Sequence, residues 1–422
     1  MSRDAQPTPP GSQPAPALLR FTPRYAHLTE RLAAKDGEVW AVHDRALELQ
    51  RDGADVILLS VGDPDFRTPE PIIDNAVSYL RVGRTHYSPS LGELKLRRAV
   101  ADLETATSPY PCSVDEVAIF PGATSAIHAA LSCLLDPGDE IVLPEPMYVG
   151  YRPILQALGV KVQSVPLVAE RGFSLDLDAL REAINAHTRV LFINTPGNPT
   201  GTIIPRADIR ELAAYCRKRN VWLVCDEVYS MFCYEGKHSS ARASADCLDN
   251  IVMIDGLSKS HAMSGWRIGW VVAPPALIQH LGAYAGATLF GSPQFIQDAS
   301  AFALENDQAY VAAMRDEYRQ RRDFVLERLD GVEELRCVRP HAGMFIMCDV
   351  SGTGLDGKAF AEGLLEKQGV AVIPGEAFGP SARPFVRIGL AQERTLLKRA
   401  CKRIRDFCAA LEVSELTETP PA

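Results

Sequence analysis

The sequence has no run approaching the roughly 18 consecutive apolar residues that a membrane-spanning helix requires, which argues against a membrane partner. No C-x-x-C pair occurs among the ten cysteines, and most of them, such as Cys133, Cys225 and Cys348, sit inside apolar runs. That usage speaks against a disulfide framework or a zinc site and for reduced core thiols in a cytoplasmic protein. Positive charge is not in excess either: 44 Lys+Arg stand against 53 Asp+Glu, a net charge of −9. Such a balance disfavours nucleic acid and anionic lipid as partners. The basic residues between Met314 and Asp323 are interleaved with acids, which reads as a solvated helix face. Residues 1–22 lack the apolar core of a secretory leader and contain Pro7, Pro9, Pro10, Pro14 and Pro16, so they are expected to be a disordered tail.

What is present is an ordinary globular balance, 46% apolar and 23% charged, in a chain of 422 residues. From about residue 112 short apolar runs alternate with helical patterns. Strands are expected at Val117–Phe120, Ile141–Leu143, Val190–Ile193, Val221–Cys225, Ile251–Ile254 and Ile268–Val272. Continuous apolar strands between helices indicate an α/β fold with a mostly parallel sheet covered on both faces. Near residue 305 the character changes. A long charged helix, Ala309 to Leu329, leads to shorter strands at Phe345–Val350, Val370–Ile373 and Phe385–Ile388. Leu397, Ala400, Cys401, Ile404, Phe407, Cys408 and Leu411 then form a helical stripe. The expected division is a large domain over 61–305, a smaller α+β domain from 23–60 plus 306–415, and a tail at 416–422.

Several residues carry chemistry. Lys259 lies in Gly256-Leu-Ser-Lys-Ser-His-Ala-Met-Ser-Gly-Trp-Arg267, just after an apolar strand and among small residues. A lysine desolvated in this way can form a Schiff base with an aldehyde, and Arg267 can grip a phosphate. Alone, the same lysine would read as a surface residue. Asp226 ends an apolar strand, where open α/β sheets bind ligands, and Tyr229 follows within reach. A carboxylate there can keep a pyridine nitrogen protonated. Asn198, in Asn194-Thr-Pro-Gly-Asn-Pro-Thr-Gly201, also follows a strand, although a plain Pro/Gly turn would look alike. Gly122-Ala123-Thr124 opens a helix directly after a strand, which suits either a phosphate cradle or an ordinary N-cap.

Taken in order, Asn-Pro-Thr-Gly, Asp-Glu-Val-Tyr and Ser-Lys-Ser…Gly-Trp-Arg resemble the aspartate-aminotransferase superfamily of pyridoxal-phosphate enzymes, fold type I, over about residues 25–412. The resemblance implies a seven-stranded, mostly parallel sheet sandwiched by helices, a pyridoxal 5′-phosphate cofactor and small-molecule substrates, an amino acid and a 2-oxo acid. It implies that Lys259 joins the cofactor and shuttles a proton, and that Asp226 pairs with the ring nitrogen. Tyr229 and Asn198 would bond the ring hydroxyl, and Tyr148 would stack on the ring. Ala123, Thr124 and Arg267 would hold the phosphate, with Ser258 or Ser260 standing in because Gly256 occupies a position where several members have serine. Arg387 and Gly62 would receive the substrate carboxylate, Gly389 replacing a serine common after that arginine. Tyr87 would reach the phosphate of a second subunit, implying a homodimer with shared active sites. Trp40 either lines the substrate pocket or packs the N-terminal helix.

A closer resemblance, in Trp40…His43, Val61–Phe66, Thr85-His-Tyr87, Glu145–Val149, Ser258–Met263 and Gly291–Asp298, is to the arginine:pyruvate transaminases. It implies that L-arginine and pyruvate become 2-oxo-5-guanidinovalerate and L-alanine. Aminotransferases for aspartate, alanine or aromatic amino acids, and lyases or synthases on the same fold, are the alternatives. Transcription regulators with this fold carry an added winged-helix domain, for which 22 residues are too few.

Overall fold

A computed structural model describes residues 23–33, 37–306 and 308–418. The expected tail at 1–22 and the end of the one expected at 416–422 lie outside them.

A short strand, β1 (Ile57–Leu58), precedes the main sheet. That sheet comprises β2 (Val117–Phe120), β3 (Glu140–Glu145), β4 (Lys161–Pro166), β5 (Thr188–Asn194), β6 (Trp222–Asp226), β7 (Ile251–Gly256) and β8 (Gly269–Val272). Its order is β2-β8-β7-β6-β5-β3-β4. All neighbours are parallel except β8, which runs antiparallel to both β2 and β7. Alternate residues serve opposite faces, as the pleat requires. Ala118 and Phe120 join one apolar cluster with helices Ala123–Leu134 and Pro275–Thr288. Val117 and Ile119 join another with helices Glu70–Arg81, Leu94–Thr107 and Gln294–Asn306. Both faces are therefore apolar, which is why these strands read as unbroken hydrophobic runs. The edge strand β4 departs from this: it is mostly exposed and polar, and its sequence carries no apolar run.

A second region holds the antiparallel strands β9 (Arg336–Val338) and β10 (Phe345–Asp349). The stretch expected as one strand at Val370–Ile373 is two, β11 (Val370–Ala371) and β12 (Ile373–Pro374), followed by β13 (Phe385–Gly389). It splits because β11 pairs in parallel with β1, whereas β12 turns away to pair with β13. The sheet order here is β12-β13-β10-β9. Helices Gln308–Leu329, Gly357–Gln368 and Arg394–Glu418 cover it, packing Val325, Phe360, Leu364, Leu397, Ile404 and Phe407 against Ile346 and Ile388.

Candidate active site

A cleft of about 480 Å³ opens along the C-terminal ends of β5, β6 and β7. Every site residue expected from sequence except Tyr87 lines it: Trp40, Gly62, Ala123, Thr124, Tyr148, Asn198, Asp226, Tyr229, Ser258, Lys259, Arg267 and Arg387. Tyr87 lies on the surface, 83% exposed, its ring centroid 5.5 Å from that of Phe290. Ser260, the other serine considered, is buried and bonded to His261 Nδ1 at 2.8 Å, so of the two it is Ser258 that faces the cleft.

Asp226 closes β6 at the floor of the cleft. Tyr151 Oη donates to its Oδ2 at 2.6 Å, and Val228 N donates to Oδ1 at 3.2 Å. Burial outweighs both bonds and pushes the carboxyl up to about 6. Asn194, at the end of β5, braces the strand end by donating to the Asp226 carbonyl at 2.9 Å. Burial also raises the Tyr229 hydroxyl, which the Asn198 side chain contacts.

Lys259 sits in a single helical turn, Leu257–Ser260, directly after β7. Its Nζ donates to the Gly62 carbonyl at 2.6 Å. Burial lowers its pKa to about 8; Asp63 works against that shift, and Arg387 and Arg267 work with it. A neutral amine is therefore accessible near physiological pH, as a nucleophile or proton carrier requires.

At the other wall Arg387, on β13, is fully desolvated. Nη2 donates to the Ser60 carbonyl at 2.7 Å and Nη1 to Asn198 Oδ1 at 3.1 Å. The guanidinium lies 4.0 Å from the Phe345 ring centroid and 4.8 Å from that of Phe378. Its Nε is buried with no hydrogen-bond partner among the described residues, and burial lowers the group to about 10. A buried cation with an open donor, and with no carboxylate beside it among the described residues, is built to receive an anion.

Arg267 and the amide end of helix Ala123–Leu134 form a second anion-binding corner. The two approach so closely that a Cβ on Gly122, at φ +85°, would fall 2.4 Å from Arg267 Nη2. Arg267 Nη1 is held by the Ser264 carbonyl at 2.7 Å. The two departures from the superfamily pattern have a steric reason. A Cβ at Gly256 would lie 2.7 Å from the Ile268 oxygen, and one at Gly389 would lie 2.6 Å from the Leu59 oxygen. Neither position has room for a serine.

Sequence reading missed Tyr151, Asn194, Asp63 and Phe345. Tyr151 could have been found from its place one helical turn after Tyr148; Phe345 carries no such signal, because its role depends on β10 lying beside β13. Among the described residues, no group of three or more His, Cys, Asp or Glu is placed to hold a metal ion, and no helix is long and apolar enough to cross a membrane.

Residues 54–404 match the family described as aminotransferase class I and II. The chain is 43% identical to the arginine–pyruvate transaminase of Pseudomonas aeruginosa over 387 residues, covering 92% of this chain and 98% of that protein. It is 35% identical to an aspartate aminotransferase of Pyrococcus abyssi, over 83% of this chain and 91% of that one. Among solved structures, the aspartate aminotransferase of Thermus thermophilus with maleate superposes with a TM-score of 0.86 at 32% identity, over 92% of this chain and all of the other (100%).

Proposed function

The chain belongs to the class I and II aminotransferases, and from that premise we propose that it is a pyridoxal-phosphate enzyme moving the amino group of L-arginine to pyruvate. The observation that carries the cofactor is the charge layout of the cleft. A buried carboxylate, Asp226, hydrogen-bonded to Tyr151 and Val228 and with no ion pair among the described residues, stands on the floor, with anion-binding groups at Arg267 and the helix end at one corner. These fit a phosphorylated pyridine: Asp226 at its nitrogen, Asn198 and Tyr229 at its hydroxyl, Tyr148 against its face. Ala123, Thr124, Ser258 and Arg267 would take its phosphate. When bound, the cofactor supplies an aldehyde for amine exchange and a ring that takes up the electron pair released at the substrate α-carbon.

The chain's own residues do the rest. Arg387 binds the substrate α-carboxylate with its free Nε and a guanidinium that cannot deprotonate at neutral pH, while Asn198 and the Ser60 carbonyl fix its plane. Gly62 lets the chain run close there, since a Cβ would strike the Phe345 ring at 2.4 Å. Lys259 Nζ would take the proton from the substrate α-carbon and carry it on its amine. Trp40, 37% exposed, and the exposed Asp63 both line the cleft, where an aromatic face and a carboxylate favour a cationic side chain.

Tyr87, projecting from the surface beside Phe290, would complete the phosphate site of a second copy, making the working unit a homodimer. The region of β9, β10, β12 and β13, together with residues 23–60, would act as a small domain (23–60 plus 306–415) closing on the sheet domain of 61–305. Ten free cysteines agree with a cytoplasmic setting.

The test is a screen of the standard L-amino acids as donors against pyruvate and 2-oxoglutarate. Arginine with pyruvate should rank among the best pairs; if it does not, the substrate assignment fails and an aspartate, alanine or aromatic donor takes its place. Release of ammonia and pyruvate without an acceptor would indicate a lyase instead.

A further inference from the structure

Two cysteines outside the cleft face each other. Cys337 on β9 and Cys348 on β10 are register partners across an antiparallel pair. Both are free thiols, and their sulfurs stand 2.8 Å apart. Directly opposed residues on neighbouring strands hold their Cβ atoms roughly 4.5–5.5 Å apart, near the ~3.5–4.5 Å that a disulfide spans. Cys348 is buried, whereas Cys337 is partly open to solvent.

We infer that Cys337 and Cys348 form a reversible dithiol–disulfide site with hydrogen peroxide as its two-electron oxidant. The Cys337 sulfur attacks one peroxide oxygen and the O–O bond breaks. Water leaves with the thiol proton, and Cys337 becomes a sulfenic acid. The Cys348 sulfur then attacks the Cys337 sulfur. The S–S bond forms, the S–O bond breaks, and hydroxide leaves as water with the Cys348 proton. The two sulfurs give up two electrons together, and one peroxide becomes two waters.

The sulfurs already touch, so closure asks little of the backbone. The adjoining register pair, Met347 and Arg387, stays in place and the cleft keeps its shape. What changes is the unfolded chain, which loses the freedom of the loop between the two residues. The oxidised enzyme is therefore active and more heat-stable than the reduced one.

The experiment uses full-length holoenzyme treated with one equivalent of hydrogen peroxide. Trypsin leaves both cysteines in one peptide, residues 337–358, because Arg339 precedes Pro340. That peptide should become about 2 Da lighter and regain its mass with dithiothreitol. Tm should rise by about 2–5 °C on oxidation. Cys337→Ser should abolish both changes while leaving turnover intact. Persistence of both thiols, accumulation of sulfinic acid at Cys337 with Cys348 still free, or a fall in Tm on oxidation would each overturn the assignment.

Discussion

Asp226 and Arg387 are both buried ions, one on the large sheet and one on the small, and they are kept charged by different means. Asp226 accepts two hydrogen bonds yet sits close enough to neutrality, at about 6, for its proton to come and go. Arg387 leans on carbonyl and amide oxygens and two aromatic rings, and at about 10 it stays a cation throughout the working range. The floor of the cleft is thus a site whose charge a bound cation can set, and the wall is a site whose charge is fixed. On the proposed function the contrast separates two tasks: the sheet side would do the chemistry, and the flanking side would hold the substrate.

The comparison can be broken most severely at Lys259, whose amine feels both ions and is the proposed proton carrier. Lys259→Ala should lower kcat by at least about 10³-fold and remove the absorbance of the lysine–cofactor adduct. Full turnover in that variant would falsify the assignment of the site. Asp226→Ala should cost about 10²–10³-fold in kcat while the protein still binds cofactor in equilibrium dialysis. A near-normal rate would show that ring protonation is controlled elsewhere.

Arg387→Gln tests the fixed cation. Its KM for any amino-acid donor should rise about 30–100-fold, the loss of one charge-assisted pair worth about 2–3 kcal/mol. If kcat fell and KM stayed put, Arg387 would belong with the chemistry instead. Tyr151→Phe is gentler. Removing one bond to the ionised carboxylate should raise the Asp226 pKa further and reduce kcat a few-fold, with a matching shift in the pH titration of the bound cofactor.

The smallest effect concerns the protein without cofactor. Because the folded pKa of Asp226 is raised, from 3.8 to about 6, its contribution to stability is fully present below about pH 4 and is lost as pH rises through 6. Asp226→Asn should therefore flatten the fall in Tm of the apoprotein between pH 4 and 7. An unchanged profile would place the proton elsewhere in the cluster.

Much of this was legible in the sequence, for a physical reason. The central strands are buried on both faces, so apolar runs marked them, and the motif residues follow strand ends where a parallel sheet leaves room for a ligand. β4 escaped notice because its exposed edge needs no apolar residues. The reversed direction of β8 was equally invisible, since Gly269–Val272 is as apolar as its parallel neighbours. Tyr151 also packs the core, its ring lying 4.7 Å from that of Phe192. Only the position of its hydroxyl reveals the second task. Phe345 became visible only when β10 and β13 were paired, because its contact with Arg387 is made between segments distant in sequence.

The reversal of β8 has a geometric consequence. A parallel β8 would begin at the far edge of the sheet, roughly 13 Å away for four residues, and Arg267 would enter on the wrong side. Running backwards, β8 starts where β2 ends, which brings Arg267 over Gly122. Lys259 and Arg267 consequently travel on the same short connection between β7 and β8. Insertions there would shift the amine and the anion-binding cation together, whereas Trp40 lies on a separate segment, the helix Gly37–Arg51. A change on the Trp40 side of the cleft can thus leave the amine and the anion-binding cation together on one connection.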